Sequence, residues 1–115
     1  MLTQITRHEL QSKLAANPGL KLLEALPEKC YVDGHLPGAQ HMPHDLVAEL
    51  APRLASDMDA EIVVYCASKT CQNSHIAAGR LAQMGHTNVA VYAEGKQDWI
   101  GAGLPTERAQ AVQAA

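Results

Sequence analysis

The chain holds three cysteines, Cys30, Cys66 and Cys71, and the second sits where a thiol can act as a nucleophile. Cys66 closes the run Glu61-Ile62-Val63-Val64-Tyr65-Cys66, a β-branched stretch suited to the centre of a sheet covered on both faces. A polar loop follows, Ala67-Ser68-Lys69-Thr70-Cys71-Gln72-Asn73, and Ser74 then opens a helical pattern. Open α/β sheets bind their ligands at the carboxyl ends of strands. Unpaired N–H groups of such a loop and of the first helical turn point inward, and the helix dipole adds partial positive charge. Both favour S⁻ over SH, so a thiol with an ordinary pKa of about 8.5 is expected to ionise substantially at neutral pH. The same cradle would hold an anion delivered to the sulfur, whether persulfide, sulfonate-like or phosphate. The anion-binding stretch is therefore expected to comprise Ala67, Ser68, Lys69, Thr70, Cys71, Gln72 and Asn73, with Lys69 as its only positive side chain.

Cys71 reads two ways: as a neutral loop residue, or as a resolving thiol that attacks a persulfide or sulfenic acid on Cys66 and closes a disulfide. Cys30 reads as a small buried residue or a loop bystander. Ser68, Thr70 and Ser74 read first as partners for loop and helix-start amides. His35, His41 and His44 are spaced H-x₅-H-x₂-H, which matches no ligand signature, so no metal is expected there. A thiolate activated by its surroundings calls for no cofactor. Tyr65 and Trp99 read as packing residues.

The elements that must position these groups follow from local pattern. Thr6 with Glu9 makes a capping box ahead of Leu10 and Leu14, which predicts a helix over Arg7 to Ala16, stopped at Asn17-Pro18-Gly19. Leu20 to Ala25 reads as a short strand and Pro27 to Pro43 as irregular chain. A helix is expected from about Asp45, with Leu46, Leu50 and Leu54 four apart and kinked or divided at Pro52. After the Cys66 strand and loop come a helix over Ser74 to Met84 ended by Gly85, a strand over Asn88 to Ala93, and a last helical turn over Gly95 to Ile100. Strands alternating with helices predict an α/β domain with a largely parallel sheet and right-handed crossovers.

Composition agrees with one packed domain. At 115 residues there is room for a single core, expected over residues 1–105, with 106–115 as a loosely ordered tail. Lys plus Arg is 9 against Asp plus Glu at 12, a net charge of −3, which gives no general attraction to nucleic acid or an anionic membrane. Aromatics are 3% with no Phe, so the core must be aliphatic and no base-stacking platform is expected. No apolar run reaches the roughly 20 residues of a membrane span, and the first fifteen residues lack a signal peptide's apolar centre. With three cysteines, too few and odd in number for a disulfide framework, a cytoplasmic protein is expected.

Several segments together resemble the single-domain rhodanese-like family. Gly34-His35-Leu36-Pro37-Gly38-Ala39 is similar to its GHIPGA segment, and Val63-Val64-Tyr65-Cys66 to the strand ending in its active cysteine. Ser74, Ala77, Ala78 and Leu81 are similar to its following helix. Asn88-Val89, Glu94-Gly95, Trp99 and Ala102-Gly103-Leu104-Pro105 are similar to its closing NV…GG…W…AGxP pattern. The resemblance implies a five-stranded parallel sheet with helices on both faces, and Cys66 as a residue that takes sulfane sulfur from a donor as a persulfide and hands it to a thiophilic acceptor. The donor would be a small molecule such as thiosulfate or a persulfide-bearing protein, and the chain a monomer or weak homodimer.

The chain also departs from that family. Its loop is two residues longer than the usual CxxGxR form, has Asn73 where Arg is usual, and lacks the loop Gly; Glu24-Ala25-Leu26 stands where Asp-Val-Arg is frequent. The lost positive charge argues against efficient use of thiosulfate and leaves persulfide chemistry. It also argues against the related phosphatases, whose Cys-x₅-Arg loop grips phosphate bidentately, because the sixth residue after Cys66 is Gln72. Two other readings stand beside sulfur transfer: a Cys66/Cys71 thiol-disulfide couple, and a catalytically weak module that uses this scaffold to bind a partner.

Overall fold

In a computed structural model of the protein, which describes residues 3–108, the apolar run before Cys66 is the central strand of the sheet. All four of its residues, Ile62 to Tyr65, are buried. Ile62 and Val64 face one core and Val63 and Tyr65 the other, the period-2 alternation of a strand covered on both sides.

The elements run β1 (Thr3–Ile5), α1 (Arg7–Ala16), β2 (Lys21–Glu24), α2 (Glu28–Asp33), β3 (Gln40–His41), α3 (Val47–Leu54), β4 (Ile62–Tyr65), α4 (Asn73–Gln83), β5 (Val89–Tyr92) and α5 (Gly95–Gly101). The sheet order is β1-β5-β4-β2-β3 and every pairing is parallel. One core takes Leu23 and Val91 from the sheet, Val47 and Ala51 from α3, and Ala77, Ala78 and Leu81 from α4. The opposite core takes Leu22 and Tyr92 from the sheet, Leu10 from α1 and Trp99 from α5. This is the five-stranded α/β layering that the resemblance implies.

Helix α1 has the expected bounds and cap: Thr6 Oγ1 accepts from the Glu9 amide at 3.2 Å, and Glu9 Oε1 accepts from the Thr6 amide at 2.9 Å. Three elements arise where no element was expected. β1 and β3 are only three and two residues long and lie at the sheet edges. α2 has no buried residue and so no apolar stripe to read; tertiary bonds hold it, with Tyr31 Oη donating to the Ala39 carbonyl at 2.7 Å and its ring stacked on His35 at 3.9 Å.

Pro52 does not divide its helix. It lies inside α3, exposed, two residues before the end. The buried stripe of that helix is also one residue away from the expected leucines: Val47 and Ala51 are buried, followed by Ala55, while Leu50 and Leu54 are partly covered and Leu46 is exposed. At the other end of the chain Glu107 exchanges two backbone hydrogen bonds with His35, at 2.8 and 2.9 Å, so the expected tail is tied down as far as this residue. Residues 109–115 of that tail lie outside the described residues.

Candidate active site

The loop between β4 and α4 is rooted at both ends. At its start, the first turn of α5 supplies two amides that would otherwise lack partners: Lys96 N–H donates to the Cys66 carbonyl and Gln97 N–H to the Ala67 carbonyl, each at 2.8 Å. Gly95 makes this approach possible. Its φ is +71°, and a Cβ there would lie 2.4 Å from the Cys66 oxygen. Within the loop, Cys71 N–H donates to the Ser68 carbonyl at 3.0 Å, and the hydroxyls of Ser68 and Thr70 pair at 3.1 Å. Ser68 and Thr70, expected to partner loop and helix-start amides, thus pair their hydroxyls with each other.

At the far end the two sulfurs act as caps. Gln72, the residue before α4, makes no side-chain cap bond. Instead the Ser74 amide faces the Cys66 sulfur, and the Asn73 amide faces the Cys71 sulfur. Cys66 is fully buried, with Sγ 3.3 Å from Ser74 Oγ and 3.3 Å from the Cys71 carbonyl oxygen. Cys71 is partly exposed. Each thiol shifts the ionisation of the other.

This arrangement corrects the expected cradle. Burial pushes the Cys66 thiol above its ordinary pKa, as does the neighbouring Cys71 thiol, against the opposing pull of the Ser74 hydroxyl and amide. Burial would raise the Cys71 thiol as well, yet the Cys66 thiol and the amides of Asn73 and Ala67 outweigh it and hold Cys71 below the ordinary value. The loop amides expected to converge on Cys66 are thus centred on Cys71, because the longer loop carries the second sulfur back over the helix terminus. Of the two thiols, Cys71 is therefore the first to ionise. Lys69 is exposed and pairs with no carboxylate among the described residues. Gln72 is also exposed and Asn73 half-buried.

Sequence reasoning missed Lys96. Its ammonium lies 3.1 Å from Glu24 Oε1, donates to the Cys30 carbonyl at 2.9 Å, and also reaches the Gly34 carbonyl. Glu24 is fully buried and accepts from Tyr65 Oη at 2.7 Å, while that oxygen accepts from the Leu36 amide. Tyr65 is therefore a hydrogen-bonding residue as well as a packing one. The Lys96–Glu24 pair locks α5 to the β2 end and to α2, and the charge of Lys96 is already matched by Glu24. The one signal for it in the sequence is its place directly after Gly95.

Beside the loop an open cleft of about 490 Å³ is lined by Leu26, Cys30, Ala67, Ser68, Lys96 and Ile100. It is wide enough for a small sulfur compound or the tip of a protein side chain, and its walls are mostly apolar. Cys30 thus lines a cleft. His35 and His41, from the histidine cluster, bond the carbonyls of Tyr31 and Leu26 at 2.9 and 2.6 Å.

The family model described as Rhodanese-like domain matches residues 6–102. The chain is 32% identical to the rhodanese-like domain of an Anabaena sp. protein solved by solution NMR, with a TM-score of 0.78 over 95% of this chain and 81% of that one. It is 25% identical to a thiosulfate sulfurtransferase from Pseudomonas aeruginosa, with a TM-score of 0.74 over 95% of this chain and 21% of that one. It is also 36% identical over 109 residues to an HTH-type transcriptional regulator of Mycobacterium tuberculosis, covering 94% of this chain and 46% of the regulator. The chain spans about half the length of that curated relative. No helix among the described residues is long and apolar enough to cross a membrane.

Proposed function

The chain belongs to the rhodanese-like domain family, and we propose that it moves sulfane sulfur from a donor to a thiophilic acceptor through a persulfide on Cys66. The observation that carries this reading is the buried Cys66 sulfur at the end of the central strand, facing both the hydroxyl and the amide of Ser74 at the start of α4. Transfer of the Cys66 proton to the Cys71 thiolate would leave Cys66 as the thiolate nucleophile, with Ser74 donating to the new charge. The thiolate attacks the sulfane sulfur of the donor, and the donor's remaining group departs with the electron pair. The transferred group is the sulfur itself, so the reaction calls for no cofactor.

Charge selects the donor. No guanidinium lies in the loop, Lys96 is neutralised by Glu24, and Lys69 stands exposed. A dianionic donor such as thiosulfate therefore meets little compensating charge, and a persulfide on a small molecule or a protein fits better. The test is the intact mass of the reduced chain after brief exposure to thiosulfate and, separately, to an organic persulfide. The expected result is a gain of one sulfur that forms faster with the persulfide and is lost in Cys66→Ser. An adduct undiminished in Cys66→Ser, or neither an adduct nor released sulfide from either donor, overturns the reading.

The regulator relative favours a second reading, in which the same thiol site reports sulfur status to a partner instead of turning over. In that case loading of Cys66 would change affinity for the partner, and catalytic turnover with a cyanide or thiol acceptor would be absent.

A further inference from the structure

The persulfide mechanism makes one use of Cys71, as a proton acceptor, but the geometry gives it another. Its sulfur is near enough to the Cys66 sulfur, the inner atom of any persulfide formed there, for each thiol to shift the ionisation of the other. Its own carbonyl lies 3.3 Å from Cys66 Sγ, and the Ser68–Cys71 turn holds it in place. Cys66 is fully buried, whereas Cys71 is partly exposed and lies in the same loop. The second thiol is thus the more exposed of the pair and is held next to the carrier by the same short loop.

Resting on the reading of Cys66 as the carrier, we propose that Cys71 is a built-in resolving thiol that discharges the Cys66 persulfide as hydrosulfide and closes a Cys66–Cys71 disulfide. The Cys71 sulfur attacks the inner sulfur, forming the bond between the two Sγ atoms. The bond to the outer sulfur breaks, and the outer sulfur leaves with the electron pair and takes the proton from the Cys71 thiol. Each cysteine sulfur is oxidised by one electron and the sulfane sulfur is reduced by two, so no further oxidant is needed. An external dithiol returns the pair to the reduced state. The domain would thus convert persulfide sulfur to sulfide with a dithiol as the electron source, and it would need no separate sulfur acceptor.

The experiment uses the full reduced chain. It is loaded with an organic persulfide, desalted rapidly, and followed without added thiol by intact mass and by free sulfide. Wild type is expected to lose the extra sulfur, end two hydrogens lighter than the reduced chain, and release one sulfide per chain; a dithiol restores the starting mass. In Cys71→Ser and Cys71→Ala the one-sulfur adduct should form more slowly, because the proton acceptor is gone, but once formed it should persist about tenfold longer or more, since only intermolecular routes remain. Equal adduct lifetimes in wild type and both variants overturn the proposal while leaving Cys66 as carrier, as does sulfide release accompanied by a disulfide-linked dimer. An adduct that forms on Cys66→Ser instead overturns the carrier reading itself.

Discussion

Replacing Gly95 by Ala tests whether the loop is held from α5. The added Cβ would lie 2.4 Å from the Cys66 carbonyl oxygen and 3.0 Å from both Ala67 C and Ser68 N, all backbone atoms that no rotamer change can move. Forcing an L residue to hold φ near +71° costs about 1–2 kcal/mol, and overpacking against a fixed wall about 1–3 kcal/mol more. The combined loss of about 2–5 kcal/mol is a large part of the stability of a domain this size. It should also lengthen the bonds from Lys96 and Gln97 and shift Cys66 relative to Ser74. Urea unfolding gives the first quantity, and the rate of Cys66 alkylation, followed by peptide mapping, gives the second. Gly79 is the control: it lies within α4, a Cβ there meets nothing within 4 Å, and Gly79→Ala should stabilise by about 0.5–1 kcal/mol. If Gly95→Ala unfolds within about 0.5 kcal/mol of wild type and Cys66 reacts at the wild-type rate, α5 does not hold the loop.

Removing Lys96 as Lys96→Met leaves the buried Glu24 carboxylate without its cation and should cost about 3–5 kcal/mol in urea unfolding; adding Glu24→Gln should recover part of that, and a further loss on adding it would refute the pairing. At neutral pH a small alkylating agent should modify Cys71 before Cys66, because Cys71 is held below and Cys66 above the ordinary thiol value; peptide mapping at partial modification decides the order. Tyr65 and Tyr92 have raised pKa values, chiefly from burial and secondarily from the Glu24 and Asp98 carboxylates respectively. A raised folded value means the unfolded tyrosines, near 10, lose protons first, so this stability is complete below about pH 10 and falls above it. Tyr65→Phe should flatten that alkaline fall in the urea midpoint while costing about 1–3 kcal/mol at neutral pH, since it leaves the Leu36 amide unpaired.

What the sequence disclosed were elements whose signal is local. The Thr6–Glu9 capping box gave α1 to the residue, and the run Ile62 to Tyr65 gave the doubly buried central strand. The paired alanines of α4 gave a helix seated closely on the sheet. The missing elements owe their form to distant partners. β1 exists because Thr3 to Ile5 pair with Ala90 to Tyr92, and β3 because Gln40 and His41 pair with Leu23 and Glu24. The site divides the same way. Cys66 follows from strand, loop and helix order, whereas the contact of Ser74 with its sulfur and the destination of each loop amide depend on how two extra residues fold. The Lys96 contacts span 62 to 72 residues of sequence, and the lengths of the intervening elements set them.

Anchoring the loop at its two roots makes its interior a replaceable cassette. Cys66 and Ala67 are held through backbone carbonyls by α5, an anchor that consults none of the side chains from Ser68 to Gln72, and at the far root, the start of α4, Cys71 is the one insert side chain that takes part. A scaffold of this kind can lengthen the insert, exchange a guanidinium for a second thiol, or vary its charge while leaving the carrier sulfur where the central strand delivers it. The resulting differences in donor preference and in the fate of the bound sulfur would then be written in five residues, while the other strands and helices stay unchanged.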